Sequence, residues 1–336
     1  MTCGLRDPAA SYSASGGVLI EKIQMNESAH KEFAPQLSVI ILTHNEEKNL
    51  PACLKSLNGL PCQVFVVDSG STDRSREIAR TAGAHVTEHS FENYTAQRNW
   101  AQRNLPIRSE WVLHLDADER LTPELRAEIA TLFAMGGSQK LKDTDGFMLR
   151  KRTFFMNRWI KYGGHYPSFH LRLFRRMAGS CEARLYDQHF VVHGRIDALQ
   201  HDYLDMLCPD LNRWILRHMR WAELEALELA GGGDKNGRVQ PKLFGNPIER
   251  RRWLRDSLYN HAPLYLRAFC YWFYRYFFRL GFLDGKEGFV FHILQGFWFR
   301  LLVDIKLDEL RRNAGEMKSR NSAILIAPHK PSNESH

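Results

Sequence analysis

Leu37-Ser38-Val39-Ile40-Ile41-Leu42, followed at once by Thr43-His44-Asn45-Glu46, decides the fold. A short apolar run rich in β-branched residues, without polar alternation, marks a strand covered on both faces, and such strands belong to parallel sheets. The spacing then turns helical. Apolar residues stand at 50, 54 and 57 between Glu46 and Leu57, and Gly59 and Pro61 stop the run. Val64–Val67 reads as a second buried strand ending at Asp68. Ser69-Gly70-Ser71-Thr72-Asp73 reads as a turn in which Ser71 or Thr72 caps the next helix. Ile78 and Ala82 are expected to face the sheet, and Gly83 to end that helix. Ala84–Thr87 is a third strand, residues 93–104 a polar helix and Trp111–Leu115 a fourth strand. Thr122 caps a helix running to Phe133, with Pro123 at its first position, and Gly146–Leu149 resumes a strand. Alternation from 37 to 150 predicts an α/β, Rossmann-like, mostly parallel sheet with flanking helices. Ligands of such sheets bind outside the carboxyl ends of the strands. Three polar clusters fall there, at 43–46, 68–73 and 116–119.

The 336 residues suit one large α/β domain with additions, or two domains. Hydrophobic residues at 44% and charged ones at 25% exclude whole-chain disorder and collagen-like repeats. A mean hydropathy of -0.40 argues against a polytopic membrane protein. Lys and Arg number 46 against 38 Asp and Glu, a net charge of +8 that points to an anionic partner. Cysteines at 3, 53, 62, 181, 208 and 270 form no C-x-x-C pair, so reduced thiols in a cytosolic compartment are expected. No secretory apolar run precedes Glu21. Residues 1–34 and 313–336 read as flexible tails.

Asp116-x-Asp118 directly follows a buried strand. Two carboxylates on one turn can hold a hard divalent cation, and the cation a diphosphate. Asp68 can accept from a base N–H or a ribose hydroxyl, or cap its own turn. Glu46 and Asp73 also fit as acids at helix N-termini.

Taken together, Thr43-His44-Asn45-Glu46, Val66-Val67-Asp68-Ser69-Gly70-Ser71-Thr72-Asp73 and Asp116-Ala117-Asp118-Glu119 resemble the family 2 glycosyltransferases of the GT-A fold. Ala96-Gln97-Arg98-Asn99-Trp100 narrows the resemblance to bacterial lipopolysaccharide-core β-glucosyltransferases and related surface-polysaccharide enzymes, over about residues 36–230. The resemblance implies a nucleotide-sugar donor, most often a UDP-sugar, and a divalent cation, Mg²⁺ or Mn²⁺. It implies Thr43, Asn45 and Glu46 in the nucleotide pocket, Asp68 on the uracil, and Gln97 and Arg98 near the ribose or diphosphate. Asp116 would contact the ribose or a metal-bound water, and Asp118 the metal. His201 could complete the cation's ligands or touch the diphosphate, with a structural role as the alternative. An inverting transfer needs a general base, and Asp187 in Tyr186-Asp187-Gln188-His189 resembles the acceptor-side acid of the family. Glu182 is the second candidate, and a plain turn residue the alternative for Asp187. His165, in the loop 162–168, would line the acceptor pocket. The Q-x-x-R-W motif of processive synthases is absent, since Asp210 stands where Gln would precede Arg213-Trp214, so one sugar per reaction is expected.

Leu264–Leu280 (LYLRAFCYWFYRYFFRL) is dense in aromatic residues. On a helix Arg267, Arg275 and Arg279 project to about 0°, 80° and 120°, sharing one face, with aromatics around the rest. That pattern fits a basic helix in a membrane interface, with a pair of core helices as the plainer reading. Phe289–Val303 is a second apolar segment, and neither supplies the roughly 20 continuous apolar residues of a simple span. Arg250-Arg251-Arg252 and Arg255 would add about 1 kcal/mol each beside an anionic leaflet. The expected organisation is a transferase domain over 35–230, a basic linker over 231–255 and membrane-associating helices over 256–312. The expected acceptor is a lipid-linked saccharide at an anionic membrane surface, the cytoplasmic face of the bacterial inner membrane. The acidic sheet edge suits no nucleic acid. A polyprenyl-phosphate acceptor and a non-enzymatic membrane adaptor are the competing readings.

Overall fold

The computed structural model describes residues 36–134, 138–207, 210–232 and 237–326, so the N-terminal tail and the last ten residues lie outside it. β1 (Leu37–Thr43) is buried along its whole length, as its unbroken apolar run requires. It pairs in parallel with β2 (Cys62–Asp68) on one side and β4 (Trp111–Asp116) on the other, and β3 (His85–Glu88) adds to β2. Alternate side chains of these strands go to opposite faces. Val39, Ile41, Val66, Leu113 and Leu115 pack under α1 (Leu50–Ser56) and α4 (Pro123–Phe133). Ile40, Leu42, Phe65, Val67 and Val112 pack on the other face beside Ala101 of α3 (Tyr94–Asn104).

Local chemistry sets the helix ends. Thr122 accepts from the Leu125 amide and Pro123 opens α4, as the spacing predicts. Asn93 accepts from the Ala96 amide at the start of α3. Asn93→Ala is therefore expected to cost about 1 kcal/mol, read as a lower melting temperature with normal spectra. α2 (Ser75–Thr81) differs from expectation. Neither Ser71 nor Thr72 caps it, because Ser71 instead accepts from the Asn45 amide and donates to Asp68. Its buried apolar side chain is Ala79 and not Ala82, which is exposed.

Beyond β4 the sheet becomes mixed. Its order is β3-β2-β1-β4-β8-β6-β11-β5, with β7 (Arg158–Trp159) hung on β6. β8 (Ser168–Arg175) runs antiparallel to both β4 and β6 (Gly146–Phe155). β11 (Ile196–Leu207) runs parallel to β6 and antiparallel to β5 (Glu119–Leu121). The expectation of a mostly parallel sheet thus holds for the first four strands and again for the β6–β11 pair, with antiparallel pairs between and beside them. β9 (Gly179–Cys181) and β10 (Phe190–Val192) form a separate hairpin ladder, and α5 (Gln139–Lys142) is a single turn. Cys53, Cys62, Cys181 and Cys270 are free thiols.

The C-terminal part is helical and packs on the sheet. α6 (Leu211–Leu227) buries Trp214 against Phe155 and Phe291, and His218 stacks on Trp214. The segment expected to be a linker contains α7 (Pro247–Ser257), started by an Asn246–Glu249 capping box. α8 (Leu266–Phe273) continues through a wide turn to Phe278. α9 (Gly285–Phe291) runs through His292–Trp298 into α10 (Phe299–Ile326), so the expected C-terminal tail from 313 begins as helix. Gly281–Glu316 is long and apolar enough to cross a membrane, but 39% of its most apolar window is buried inside the fold.

The arginine face of α8 also turns out differently. Arg267 and Arg275 turn inward, whereas Arg279 stays exposed. Arg267 is buried on Asp304 of α10, Arg275 donates to the Gly163 carbonyl at 2.5 Å, and Arg279 reaches Tyr274. The outward face is aromatic instead: Phe269, Phe273, Phe277 and Phe278 are exposed, Phe278 to 71%.

Candidate active site

The carboxyl ends of β1, β2 and β4 lie side by side, with Thr43 opposite Asp68 and Leu42 opposite Asp116. The first two clusters interlock. Asn45, at φ 57, accepts from the Thr72 amide at 2.8 Å and donates its own amide to Ser71 Oγ. The Glu46 amide donates to Ser75 Oγ at 2.8 Å, and the Glu46 carboxylate accepts from Asn49. Asp68 is sealed, and its oxygens accept from the Gly70 and Ser71 amides and the Ser71 hydroxyl. Here Asp68 caps its own turn, the second of the two roles open to it. Thr43 Oγ1 is buried with no partner.

Gln97 and Arg98 come from α3, one turn past its cap. Gln97 is buried, donating to Ser69 Oγ at 3.1 Å and bonding His89 at 2.6 Å, so it braces the loop after β2. Arg98 places one nitrogen 3.0 Å from both oxygens of Asp116.

The third cluster carries the strongest electrostatics. Arg172 of β8 reaches Asp116 at 3.2 Å and Glu119 at 2.5 Å, and Glu119 accepts from the Asp116 amide. Burial would raise the Asp116 carboxyl, but Arg98 and Arg172 outweigh it and hold Asp116 well below the usual carboxylate range. Glu119 is pushed up to about 7 by burial and by the Asp116 and Asp205 charges, despite Arg172. Asp118 stands apart from these pairs. Its carboxylate meets no hydrogen-bond donor and no cation among the described residues. Burial pushes its carboxyl well up, and the neighbouring Asp205, Asp116, Glu119 and Glu46 charges add to this.

An unpaired carboxylate ringed by other carboxylates is a favourable place for a divalent cation, which removes the repulsion. No group of three His, Cys, Asp or Glu side chains already converges as a metal cage among the described residues. That still fits a cation held by one or two carboxylates and completed by substrate phosphates and water. Asp118 is the carboxylate left open there, whereas Asp116 is engaged by two guanidinium groups. His201 is not brought to Asp118. Its ring bonds Glu128 of α4 at 2.8 Å, and it lies five residues along β11 from Met206, which bonds the Asp118 carbonyl, about 16 Å at strand rise. Its expected place among the cation's ligands is thereby corrected, because Glu128 occupies the imidazole.

The two base candidates separate cleanly. Glu182 is fully buried, paired with Arg252 at 2.6 Å and bonded to the His189 and Val239 amides. Sealed in this way, it is a structural carboxylate. Asp187 is 41% exposed and sits at φ 56, a backbone region that costs a non-glycine residue roughly 1 kcal/mol or more. One of its oxygens is 2.8 Å from Arg255 and the other 3.7 Å from His189. Burial of its surroundings raises the carboxyl, but His189, Arg255, Arg252 and Arg184 together hold it well below the usual range. The ring of His189 lies 5.7 Å from that of His170, which meets Tyr203 at 6.4 Å, and Arg172 lies 6.0 Å from the Tyr203 ring. One continuous wall therefore leads from Asp187 back to Asp116. Spacing along the chain gave no sign of Arg172, Tyr203 or Asp205; only their partners across the sheet reveal them.

The chain was compared with known proteins. Residues 38–180 match the family model described as Glycosyl transferase family 2. An uncharacterized glycosyltransferase of Rickettsia typhi is 37% identical over 99 residues, 30% of this chain and 33% of that protein. The alignment thus spans about a third of that relative's length. The lipopolysaccharide core biosynthesis glycosyltransferase LpsC of Rhizobium meliloti is 25% identical over 232 residues, 67% of this chain and 83% of that protein. Among solved structures, a mannosyltransferase of Pyrobaculum calidifontis in complex with GDP-Man and Mn²⁺ shows a loose likeness, with TM-score 0.43 and 14% identity over 82% of this chain and 88% of that one.

Proposed function

We propose, on the match of residues 38–180 to the glycosyl transferase family 2 model and on the mixed α/β sheet, that the chain is a GT-A-type enzyme that transfers single sugars, with inversion, from a nucleotide-sugar donor to a lipid-linked saccharide. The donor is a UDP-sugar in the first instance, and the product belongs to lipopolysaccharide or other cell-surface polysaccharide synthesis. The observation that carries the reading is the lone Asp118 carboxylate among four other acids at the mouth of β4. No described donor or cation compensates it, and a cation–diphosphate pair would. The 25% identity with a lipopolysaccharide-core transferase over two thirds of the chain supports the substrate class.

Each residue then has a task. Asp118 would hold Mg²⁺ or Mn²⁺, which when bound neutralises the leaving diphosphate. Arg98 and Arg172 keep Asp116 ionised and fixed, so that its oxygens can accept from a ribose hydroxyl or a metal-bound water. Thr43, with its unpartnered hydroxyl, and the interlocked Asn45 and Glu46 would line the nucleotide pocket, with Asp68 and Gln97 fixing the loop that closes it. Asp187 would take the proton of the acceptor hydroxyl. The exposed aromatic face of α8, with the long apolar helix behind it, would rest on the cytoplasmic surface of the bacterial inner membrane.

The test is a transfer assay with the full chain, Mn²⁺, a panel of UDP-, GDP- and dTDP-sugars and a bacterial polar-lipid extract. Release of nucleoside diphosphate coupled to a labelled lipid product is expected with one UDP-sugar. No transfer with any donor would refute the reading.

A further inference from the structure

Between α7, α8, α10 and the loop 162–168 lies a cluster of donors with no carboxylate in ion-pair contact among the described residues, Glu225 being the acid whose charge reaches Arg300. Arg275 donates to the Gly163 carbonyl, to Tyr271 at 3.0 Å and to His165 Nδ1 at 3.1 Å. Arg300 stacks against Tyr259 and Tyr271, 5.8 and 5.6 Å from their centroids, and donates to no described residue. Arg251 is exposed and spends one hydrogen bond on Ser168. None of the three is within 4.0 Å of an acid among the described residues. Other arginines nearby are paired: Arg252 with Glu182, Arg255 with Asp187, Arg267 with Asp304.

His165 completes the set. Arg275 donates to Nδ1, which leaves the proton of the neutral ring on Nε2, and that atom is buried with no partner. Burial and the surrounding Arg275, Lys151 and Arg251 charges keep the imidazole neutral. Burial pushes the Tyr271 phenol up, yet Arg275, Arg300 and Arg251 overcome it and bring the phenol down to about 8. Guanidinium groups without a directly paired carboxylate, gathered around Tyr271 and lined by hydrogen-bond donors, have the chemistry of a multivalent oxyanion site.

We propose that Arg251, Arg275 and Arg300, with Nε2–H of His165, form a subsite for a phosphate or diphosphate group carried at the head of a lipid. The lipid source follows from position. Arg275 lies on the inner side of the same helical segment whose outer side exposes Phe273, Phe277 and Phe278. A headgroup entering beside that face would reach the guanidinium groups while its chain stayed among the aromatics. Arg251 also acts on His170 and His189, so the subsite adjoins the wall that leads to Asp187. This inference rests on the lipid-linked acceptor of the proposed function and gives it a chemical handle, a phosphorylated lipid carrier.

The test is co-sedimentation of the full chain, without donor, on phosphatidylcholine vesicles carrying farnesyl diphosphate, and on vesicles carrying phosphatidylglycerol at matched surface charge. At least tenfold tighter binding to the diphosphate vesicles is expected. Arg251→Gln and Arg300→Gln should each remove that increment, while binding to phosphatidylglycerol vesicles and the melting temperature stay put. Arg251 is exposed, so its variant tests the idea even if Arg300→Gln fails to fold. Equal binding to the two vesicle types, or an increment that survives both variants, would overturn the subsite. Soluble pyrophosphate binding as tightly as the lipid would keep the phosphate site and overturn the lipid assignment. Because no donor is present, failure of sugar transfer would count against the proposed function alone.

Discussion

Asp118→Asn is expected to abolish sugar transfer while making the cation-free protein more stable. The cation is asked to supply several kcal/mol of charge stabilisation to the leaving diphosphate, so its loss should cost roughly 10³-fold or more in rate. The stability effect has the opposite sign because the native carboxyl is raised, not lowered. Between the unfolded value of about 3.9 and the raised native value, the folded chain binds more protons than the unfolded one. Stability therefore falls as pH rises through that window and stays reduced above it. Replacing the charge with an amide removes the penalty. At pH 7.5 with chelator the variant should melt a few degrees higher than the parent, at about 2–4 °C per kcal/mol for a domain of this size. Below about pH 4 the two should converge. Added Mn²⁺ should raise the parent's melting temperature and leave the variant's unmoved. A variant that transfers sugar normally, or melts below the parent in chelator, contradicts the assignment.

Asp187→Asn is expected to lower kcat by roughly 10²–10⁴-fold with donor affinity within twofold of the parent. The cost to folding should be small, since Arg255 keeps Glu225 at 3.8 Å and Asp256 at 3.6 Å. The four cationic or polarisable neighbours hold the Asp187 carboxyl well below the ordinary range. An Asp187 base would then be ionised across the ordinary assay range, and the acid side of the kcat profile should show no carboxylate limb above about pH 4. A limb near pH 5–6 that persists in the variant would belong to another base. Normal transfer by Asp187→Asn would remove Asp187 from the reaction.

The parallel half of the fold was legible because β1, β2 and β4 are apolar on both faces and alternate with helices, of which α3 and α4 carry side-chain caps. The mixed half was not. β6 reads Gly-Phe-Met-Leu-Arg-Lys-Arg-Thr-Phe-Phe, and its three basic residues look like the end of a strand. They continue it because β11 brings acids alongside: Arg150 and Arg152 meet Asp202 at 2.9 and 2.6 Å, and Lys151 meets Asp205 at 2.8 Å. Half-buried basic side chains paired to buried carboxylates erase the hydropathy pattern that strand reading depends on. The same holds in the site. Asp116, Asp118 and Arg98 sit in short blocks of sequence, whereas Arg172 lies 56 residues from Asp116 and only the β4–β8 pairing joins them. His201 misled because its neighbour in space, Glu128, is 73 residues away. The helical wheel grouped Arg267, Arg275 and Arg279 but could not give the direction each takes. Asp304 and the Gly163 carbonyl turn Arg267 and Arg275 inward, and both lie outside the segment, while Arg279 stays exposed.

The most direct test of the account is calorimetric titration of UDP into the full chain, with Mn²⁺ and with chelator, beside Asp118→Asn under the same conditions. The account predicts binding that needs Mn²⁺ in the parent and is lost in the variant. Binding indifferent to the cation, or no binding of UDP, GDP or dTDP in either condition, would contradict a cation-dependent nucleotide-sugar site at the ends of β1, β2 and β4.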